Sequence, residues 1–461
     1  MTASGEKIGK ALADEGHRAG VTILDLRYDL EDKPAPIPSI LFGLQHVLIM
    51  FTAMIATPLV IGQLLNLPPD TRTTMVTGVM LGCGIGTVIS ALGIGWVGSR
   101  LPLLLGAYAV YIGPVVAIAK GSSLAAATTA LLIGGIVLFL ASPLLGKMRA
   151  LFPPVVVGTL LVITGETLIR IAANIAAGTN SPYAGNPLSL VLVVVSIILI
   201  LAINRLTAGF MRALSVFIAL VCLYVIAIAL GFANFQLVAN APWFRLPSVL
   251  PYGEFAWPDV GGLTTVIIYS LISAIYTMSI TLALCRMLGV EGTEARVRGA
   301  VAGDGLGSAI AALFGGVPLI SYDQNVGAIS LTGVGSRYVV AAAGGILVLM
   351  ALLPKVGAVI AIVPPFVLGG TLVFMFGMIA AVGVGILTDS LRSHRDLLLL
   401  AASFGLATAI NFAPPSLLAP VPTNLHILAS DGIVVGTVTA ILLNLLLPDD
   451  KKQPAKMERS S

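Results

Sequence analysis

Between Pro318 and Gly333 the chain reads PLISYDQNVGAISLTG, and its centre sets Ser321, Tyr322, Asp323, Gln324 and Asn325 in a row ahead of Gly327. Gln324 and Asn325 each bring amide donors and an acceptor, the pairing that can read the edge of a flat heterocycle. Asp323 adds a carboxyl group, an acceptor when ionised and a donor when protonated. Other ionisable side chains stand in apolar segments elsewhere: His46 after Gln45, Asp304 between two glycines, and Glu166 four residues before Arg170. On a helix that last spacing puts both side chains on one face, within pairing reach. No Ser-His-Asp, Cys-His or metal-ligand constellation is visible, and His17, His46, His394 and His426 are scattered. Cys83, Cys222 and Cys285 each sit alone in apolar runs without C-x-x-C spacing, which reads as small buried hydrophobes. An enzyme is the least favoured class, and neither a cofactor nor a metal is expected.

The elements that must position these groups follow from hydropathy. A mean hydropathy of +1.02, with 57% hydrophobic and 10% charged residues, excludes an ordinary soluble chain. Repeated apolar runs of the length that crosses a bilayer predict an all-α polytopic membrane protein. The 50 glycines suit close helix packing in lipid. The formal charge of +4 is modest and points to no nucleic-acid partner.

Residues 1–37 are charge-mixed and end in KPAPIP, which reads as a tail without a cleavable signal. Candidate spans fall near 38–57, 75–96, 101–119, 123–145, 153–174, 187–203 and 213–232, then 261–286, 298–314, 320–336, 338–354, 359–388, 396–412 and 430–447. A second tail covers 449–461, leaving 38–448 as the membrane domain. With fourteen crossings, one set of loops carries Arg100, Lys147, Arg149, Arg205, Arg212, Arg286, Arg296, Arg298, Arg337, Arg392 and Arg395. The other carries Arg72, Lys120, Arg245 and Lys355. The positive-inside rule then puts both termini in the cytoplasm.

The third and tenth segments are the least helix-like. A polar block at membrane depth cannot face lipid, because its amide groups would each lose several kcal/mol of hydrogen bonding. Such a block is tolerated only where it is buried in protein or lines a cavity, so a broken helix is expected there. LPLLLGAYAVYIG at 101–113 and VPLISYDQNVGAI at 317–329 share a proline followed by a short extended stretch. Anchoring on Pro102 and Pro318 pairs Tyr108 and Ala109 with Gln324 and Asn325, so these two are expected to wall the pocket from the other half. Each stretch is the third crossing of a seven-span half, and an odd number makes the halves inverted. Interrupted helices at matching places in inverted repeats point to a transporter's midplane site.

Gln324-Asn325-x-Gly327 followed by Thr332-Gly333 resembles the signature of the nucleobase–ascorbate transporter family, the xanthine/uracil permeases. So do Gln45-His46, GDGLGS at 303–308 with Asp304, and FGMIAAVGVGIL at 376–387. The likeness runs over essentially the whole chain after the first tail. It implies a core of spans 1–4 and 8–11 and a gate of spans 5–7 and 12–14, with short β-strands in spans 3 and 10. It also implies elevator-type uptake of a base such as xanthine, urate or uracil. Coupling to H+ (Na+ as the alternative), a homodimer and a bacterial inner-membrane setting complete the expectation.

One departure stands out. The family's eighth span carries a glutamate that hydrogen-bonds the base, whereas Ser270–Arg286 contains no acid. The position falls at or beside Ser273, with Thr277 one turn later. Asp323 is an added acid inside the signature. Strand alternation would place it on the face opposite Gln324, as a structural partner; the other reading makes it a substrate or proton group. Asp304 divides between proton coupling and a helix-bridging hydrogen bond. His46 reads as a hydrogen-bonding residue with a proton relay as its alternative, and Glu166–Arg170 as an ion pair in the gate. An anion transporter of the same inverted architecture is the runner-up, followed by a channel or scaffold.

Overall fold

The computed structural model describes residues 26–144, 153–178, 185, 187–422 and 425–447. Most of both expected tails, with Lys147 and Arg149, lies outside them. Among the described residues each expected segment overlaps one principal helix, which fills only part of the third and tenth segments. In chain order these helices are α1 (Pro36–Leu64), α2 (Pro69–Leu92), α3 (Ile112–Gly121), α4 (Leu124–Ala141), α5 (Pro154–Ala176), α6 (Pro187–Leu206) and α7 (Ser215–Ala229). The second half has α8 (Val260–Met287), α9 (Glu294–Leu313), α10 (Asp323–Thr332), α11 (Arg337–Ala351), α12 (Pro365–Ser390), α13 (His394–Asn411) and α14 (Gly432–Leu446). Strand β1 (Leu105–Ala107) precedes α3 through a 3₁₀ turn at Ala109–Tyr111, and β2 (Leu319–Ser321) precedes α10. Seven of the helices are long and apolar enough to cross a membrane, or eight if α11 and Pro354–Ala361, bent by 83°, form one span.

The helix starts are written locally. Prolines occupy the first turn of α1, α2, α5 and α12, where a missing N–H costs nothing. Ser123, Asp259, Thr293, Ser336, Ser393 and Asp431 cap α4, α8, α9, α11, α13 and α14 with side-chain oxygens. The Pro364–Pro365 pair starts α12 six residues later than hydropathy predicts, and leaves 359–361 on the preceding short helix.

Two groups of helices pack densely within themselves: α2 with α11 and α9, and α9 with α4, on one side; α5 with α12 and α14, and α13 with α14, on the other. Small residues make the close approaches possible. A Cβ on Gly344 of α11 would stand 2.7 Å from the Gly84 carbonyl oxygen of α2. Backbone on both sides must then move, and overpacking of this kind costs about 1–3 kcal/mol. Gly344→Ala is therefore expected to lower the thermal unfolding midpoint in detergent, whereas Gly345→Ala, where a Cβ meets open space, should leave it unchanged.

Part of the expected first tail is ordered. Arg27 and Tyr28 donate backbone N–H groups to the Gly333 carbonyl at 2.7 and 3.2 Å, and Gly335 N–H returns a bond to Tyr28. Glu31 pairs with Arg337 at 2.7 Å. This strap covers the turn that ends α10, where Gly333 adopts φ +68° as the C-terminal cap.

Candidate functional site

β1 and β2 pair antiparallel with Leu105 opposite Ser321, Gly106 opposite Ile320 and Ala107 opposite Leu319. The ladder extends through Tyr108 N–H to the Pro318 carbonyl (2.9 Å) and Tyr322 N–H to the Leu104 carbonyl (3.1 Å). All six strand residues are buried, so a two-stranded ribbon inside a helical protein needs partners for its outer edges. Thr87 of α2 accepts from Leu105 N–H at 3.0 Å, and Ser308 of α9 accepts from Leu319 N–H at 2.8 Å. Gly106 has to be glycine, because a Cβ there would enter the Tyr322 ring, whose hydroxyl donates to the Ala107 carbonyl at 2.6 Å. The stretch from Leu319 to Arg337 is thus a strand and a half-length helix, not one unbroken helix.

The matching edge bonds align Leu105 with Leu319, and both half-helices begin just after a tyrosine, Tyr108 or Tyr322. Tyr108 is therefore the counterpart of Tyr322, and Ala109 of Asp323, two residues away from the pairing that the prolines suggest. Both strands are three residues long, but β1 starts at Leu105, beyond Leu103 and Leu104, whereas β2 follows Pro318 directly, so the prolines are not equivalent anchors.

Asp304 of α9 is fully buried beneath the ribbon. Its carboxylate accepts from Ser321 N–H and Ser321 Oγ–H, each at 2.9 Å, and from the Thr277 hydroxyl of α8. The polar block divides over the half-helix that follows. Asn325 is buried and donates through Nδ2 to the Pro102 carbonyl. His46 of α1 faces the same amide, yet His46 Nδ1 and Asn325 Oδ1 close no well-formed hydrogen bond. Gln324 is exposed, and no side-chain hydrogen bond engages it among the described residues.

A narrow cleft of about 60 Å³ opens where the two half-helices begin. Asp323 and Gln324 line it together with Tyr108, Ala109, Tyr276 and Tyr322, and α5 and α12 supply the opposite wall through Thr164 and Phe376. Strand alternation does not separate Asp323 from Gln324, because the helix begins at Asp323 and successive residues turn by only about 100°. The Tyr276 hydroxyl faces the Asp323 carboxylate, and the Tyr276 and Tyr108 rings stack at 6.2 Å with 17° between planes. The Tyr108 hydroxyl is buried without a hydrogen-bond partner among the described residues, a donor left for something else in the cleft. A larger basin of about 760 Å³ lies at the start of α5 and the ends of α12 and α14, beside Arg392 and Asp389, and shares no residue with this cleft.

Two further expectations are corrected. Ser273 and Thr277 do not line the cleft. Ser273 bonds the Ser270 carbonyl at 2.7 Å, and Thr277 turns to Asp304. The α8 side chain that reaches the cleft is Tyr276, inside the right stretch but on a face that sequence periodicity left unassigned. Glu166 and Arg170 form no ion pair. Glu166 accepts from Asn411 Nδ2 at 3.1 Å, and Arg170 stacks over Phe412 at 4.8 Å. The end of α13 thus supplies each with a partner before the two can meet.

Residues 38–416 match the xanthine/uracil permeases, a family described simply as the Permease family. The uric acid permease PucJ of Bacillus subtilis is 34% identical over 419 residues, covering 89% of this chain and 93% of that one. The uric acid transporter UacT of Escherichia coli is 31% identical, covering 89% and 86%. The xanthine permease XanQ of Escherichia coli is 29% identical, covering 93% and 95%. Among solved structures, SLC26A9 superposes with a TM-score of 0.60 at 14% identity, over 96% of this chain and 69% of that one. The transmembrane domain of the cyanobacterial bicarbonate transporter BicA gives 0.55 at 17%, over 88% and 100%. These two establish a shared fold. The chain belongs to the xanthine/uracil permease family, and it is an integral membrane permease, not an enzyme.

Proposed function

We propose that this permease takes up a nucleobase, a purine such as xanthine or urate or else uracil, by elevator-type alternating access coupled to protons, with Na+ as the alternative ion. The carrying observation is the cleft itself: a free Gln324 amide beside the Asp323 carboxylate and an unpartnered Tyr108 hydroxyl, under stacked tyrosine rings. Those groups offer a flat, amide-rich ring an edge to bond and a face to cover. Asp323, approached by Tyr276, supplies the acceptor that an eighth-span glutamate would otherwise bring.

In this reading fourteen segments cross the membrane as two inverted sevens, with the β1–β2 ribbon at the midplane. Spans 1–4 and 8–11 form the moving core and spans 5–7 and 12–14 the gate. Both termini face the cytoplasm at a bacterial inner membrane, and the protein works as a homodimer.

An anion is the competing substrate, because a bicarbonate transporter shares the fold. Against it, the described lining of the cleft contains Asp323 but no lysine, arginine or histidine. A stability screen of the purified protein separates the two. A ligand at a hundred times its Kd stabilises the folded state by about 2.7 kcal/mol, so xanthine, uric acid or uracil should raise the unfolding midpoint while bicarbonate and sulfate do not. Stabilisation by the anions alone would overturn the reading.

A further inference from the structure

Helix α8 carries a second polar contact outside the cleft. Tyr269 and Tyr276 are seven residues apart, so two turns put both rings on one face, about 10 Å apart along the axis. Tyr276 reaches the cleft. Tyr269 is fully buried and donates its hydroxyl proton to Asp431 Oδ1 at 2.7 Å. The same carboxylate oxygen caps α14, accepting from Ile433 N–H at 3.0 Å and Val434 N–H at 3.2 Å. Tyr111 links Tyr269 to Tyr108, whose ring in turn stacks on Tyr276. The Tyr111 ring lies 5.7 Å from that of Tyr269 and 6.1 Å from that of Tyr108, and its hydroxyl is 3.0 Å from Ser270 Oγ. Among the described residues, Tyr269–Asp431 is the one hydrogen bond between side chains that joins α8, which packs on α4 and α9, to the α5–α13–α14 group.

We propose that Tyr269 and Asp431 form a latch that holds the two helix groups together at one end of the cleft and opens in every transport cycle. The idea rests on the core-and-gate reading above. The cap alone does not explain the pair, since an aspartate, asparagine or serine oxygen would cap α14 without any tyrosine beside it. A buried phenol needs a partner, and among the described residues the one that accepts from Tyr269 belongs to the other group of helices. If those groups slide past each other by even half a helical turn, about 3 Å, a 2.7 Å bond cannot persist. The bond is charge-assisted when Asp431 is ionised, which is the stronger kind. It therefore biases the equilibrium toward the conformation observed, and does so without touching substrate: Tyr269 is a positioning residue.

The test uses the full chain with Cys83, Cys222 and Cys285 replaced by alanine and a reporter cysteine at Leu168, which lines the cleft from α5. Maleimide labelling is timed without substrate. Tyr269→Phe removes one oxygen and keeps both the ring and the cap; it is expected to shift the labelling rate about tenfold at wild-type abundance. Adding Asp431→Asn, whose amide oxygen can still cap, should add little to that shift, as expected for partners in one bond. Should Tyr269→Phe fail to accumulate, Asp431→Ser, which caps but is too short to reach Tyr269, carries the same expectation. An unchanged labelling rate in whichever variant accumulates would overturn the latch. Because no substrate is present, that failure leaves the nucleobase assignment standing, and an anion-only result in the stability screen would leave the latch standing.

Discussion

Replacing Gln324 with alanine is expected to cut uptake roughly 10- to 100-fold through weaker binding, with the protein still reaching the membrane at wild-type abundance. The side chain is exposed in the cleft and makes no hydrogen bond of its own among the described residues, so the fold loses nothing when it goes. A bound base would lose one amide partner and keep the cost of removing its own polar group from water, together about 1–3 kcal/mol, and 1.4 kcal/mol is tenfold in affinity. Its neighbour should behave in the opposite way. Asn325 ties α10 to the Pro102 carbonyl just ahead of β1. Asn325→Ala is thus expected to lower stability by about 1–3 kcal/mol, by leaving a buried carbonyl without a donor. Radiolabelled binding and thermal unfolding of the two purified variants separate these outcomes. Wild-type affinity in Gln324→Ala would take that residue out of the site.

That two adjacent amides divide in this way was only half legible in the sequence. Polarity at membrane depth was enough to break the tenth segment, because no lipid-facing helix can hide such groups. Placing individual side chains required the point where strand becomes helix, and it falls between Tyr322 and Asp323. A shift of one residue there decides whether Asp323 points away from Gln324 or shares its cleft. The same sensitivity moved the internal symmetry by two residues. Prolines mark where the extended stretches begin, whereas the bonds from Leu105 to Thr87 and from Leu319 to Ser308 mark where they pair.

Other readings failed because the partner is distant in sequence. Glu166 and Arg170 have favourable helical spacing, but an exposed pair of that kind is worth only a few tenths of a kcal/mol. Asn411 and Phe412, some 240 residues away, offer better contacts. On α8, hydropathy is high all round, so nothing in the sequence says which face meets the cleft; Ser273 and Thr277 turned out to serve backbone and carboxylate. Asp431 caps α14 within its own stretch of chain. Its second partner, Tyr269, is 162 residues away, and only tertiary packing brings the two together.

Asp304 offers the other large effect, and two substitutions divide its roles. Its carboxylate gathers three donors, from Thr277 Oγ, Ser321 N–H and Ser321 Oγ, at the level where β2 meets α8 and α9. Asp304→Ala strands all three in a buried site, at about 1–3 kcal/mol for each unmet group. It is expected to destabilise the protein by several kcal/mol, and its abundance should fall accordingly. Asp304→Asn is different. The amide oxygen can take the place of Oδ2 toward Thr277 and Ser321 N–H, and the NH2 can donate to a rotated Ser321 hydroxyl, so the hydrogen-bond count survives while the ionisable group does not. If Asp304 carries the coupled proton, Asp304→Asn should bind base within about threefold of the wild type, an affinity change well under 1.4 kcal/mol, yet lose proton-driven accumulation. Uptake into proteoliposomes with and without an imposed proton gradient reads this directly. Accumulation at the wild-type level would leave Asp304 as the pin that fastens the ribbon to its helices, and the coupled charge would have to be sought at Asp323, the acid of the described cleft lining.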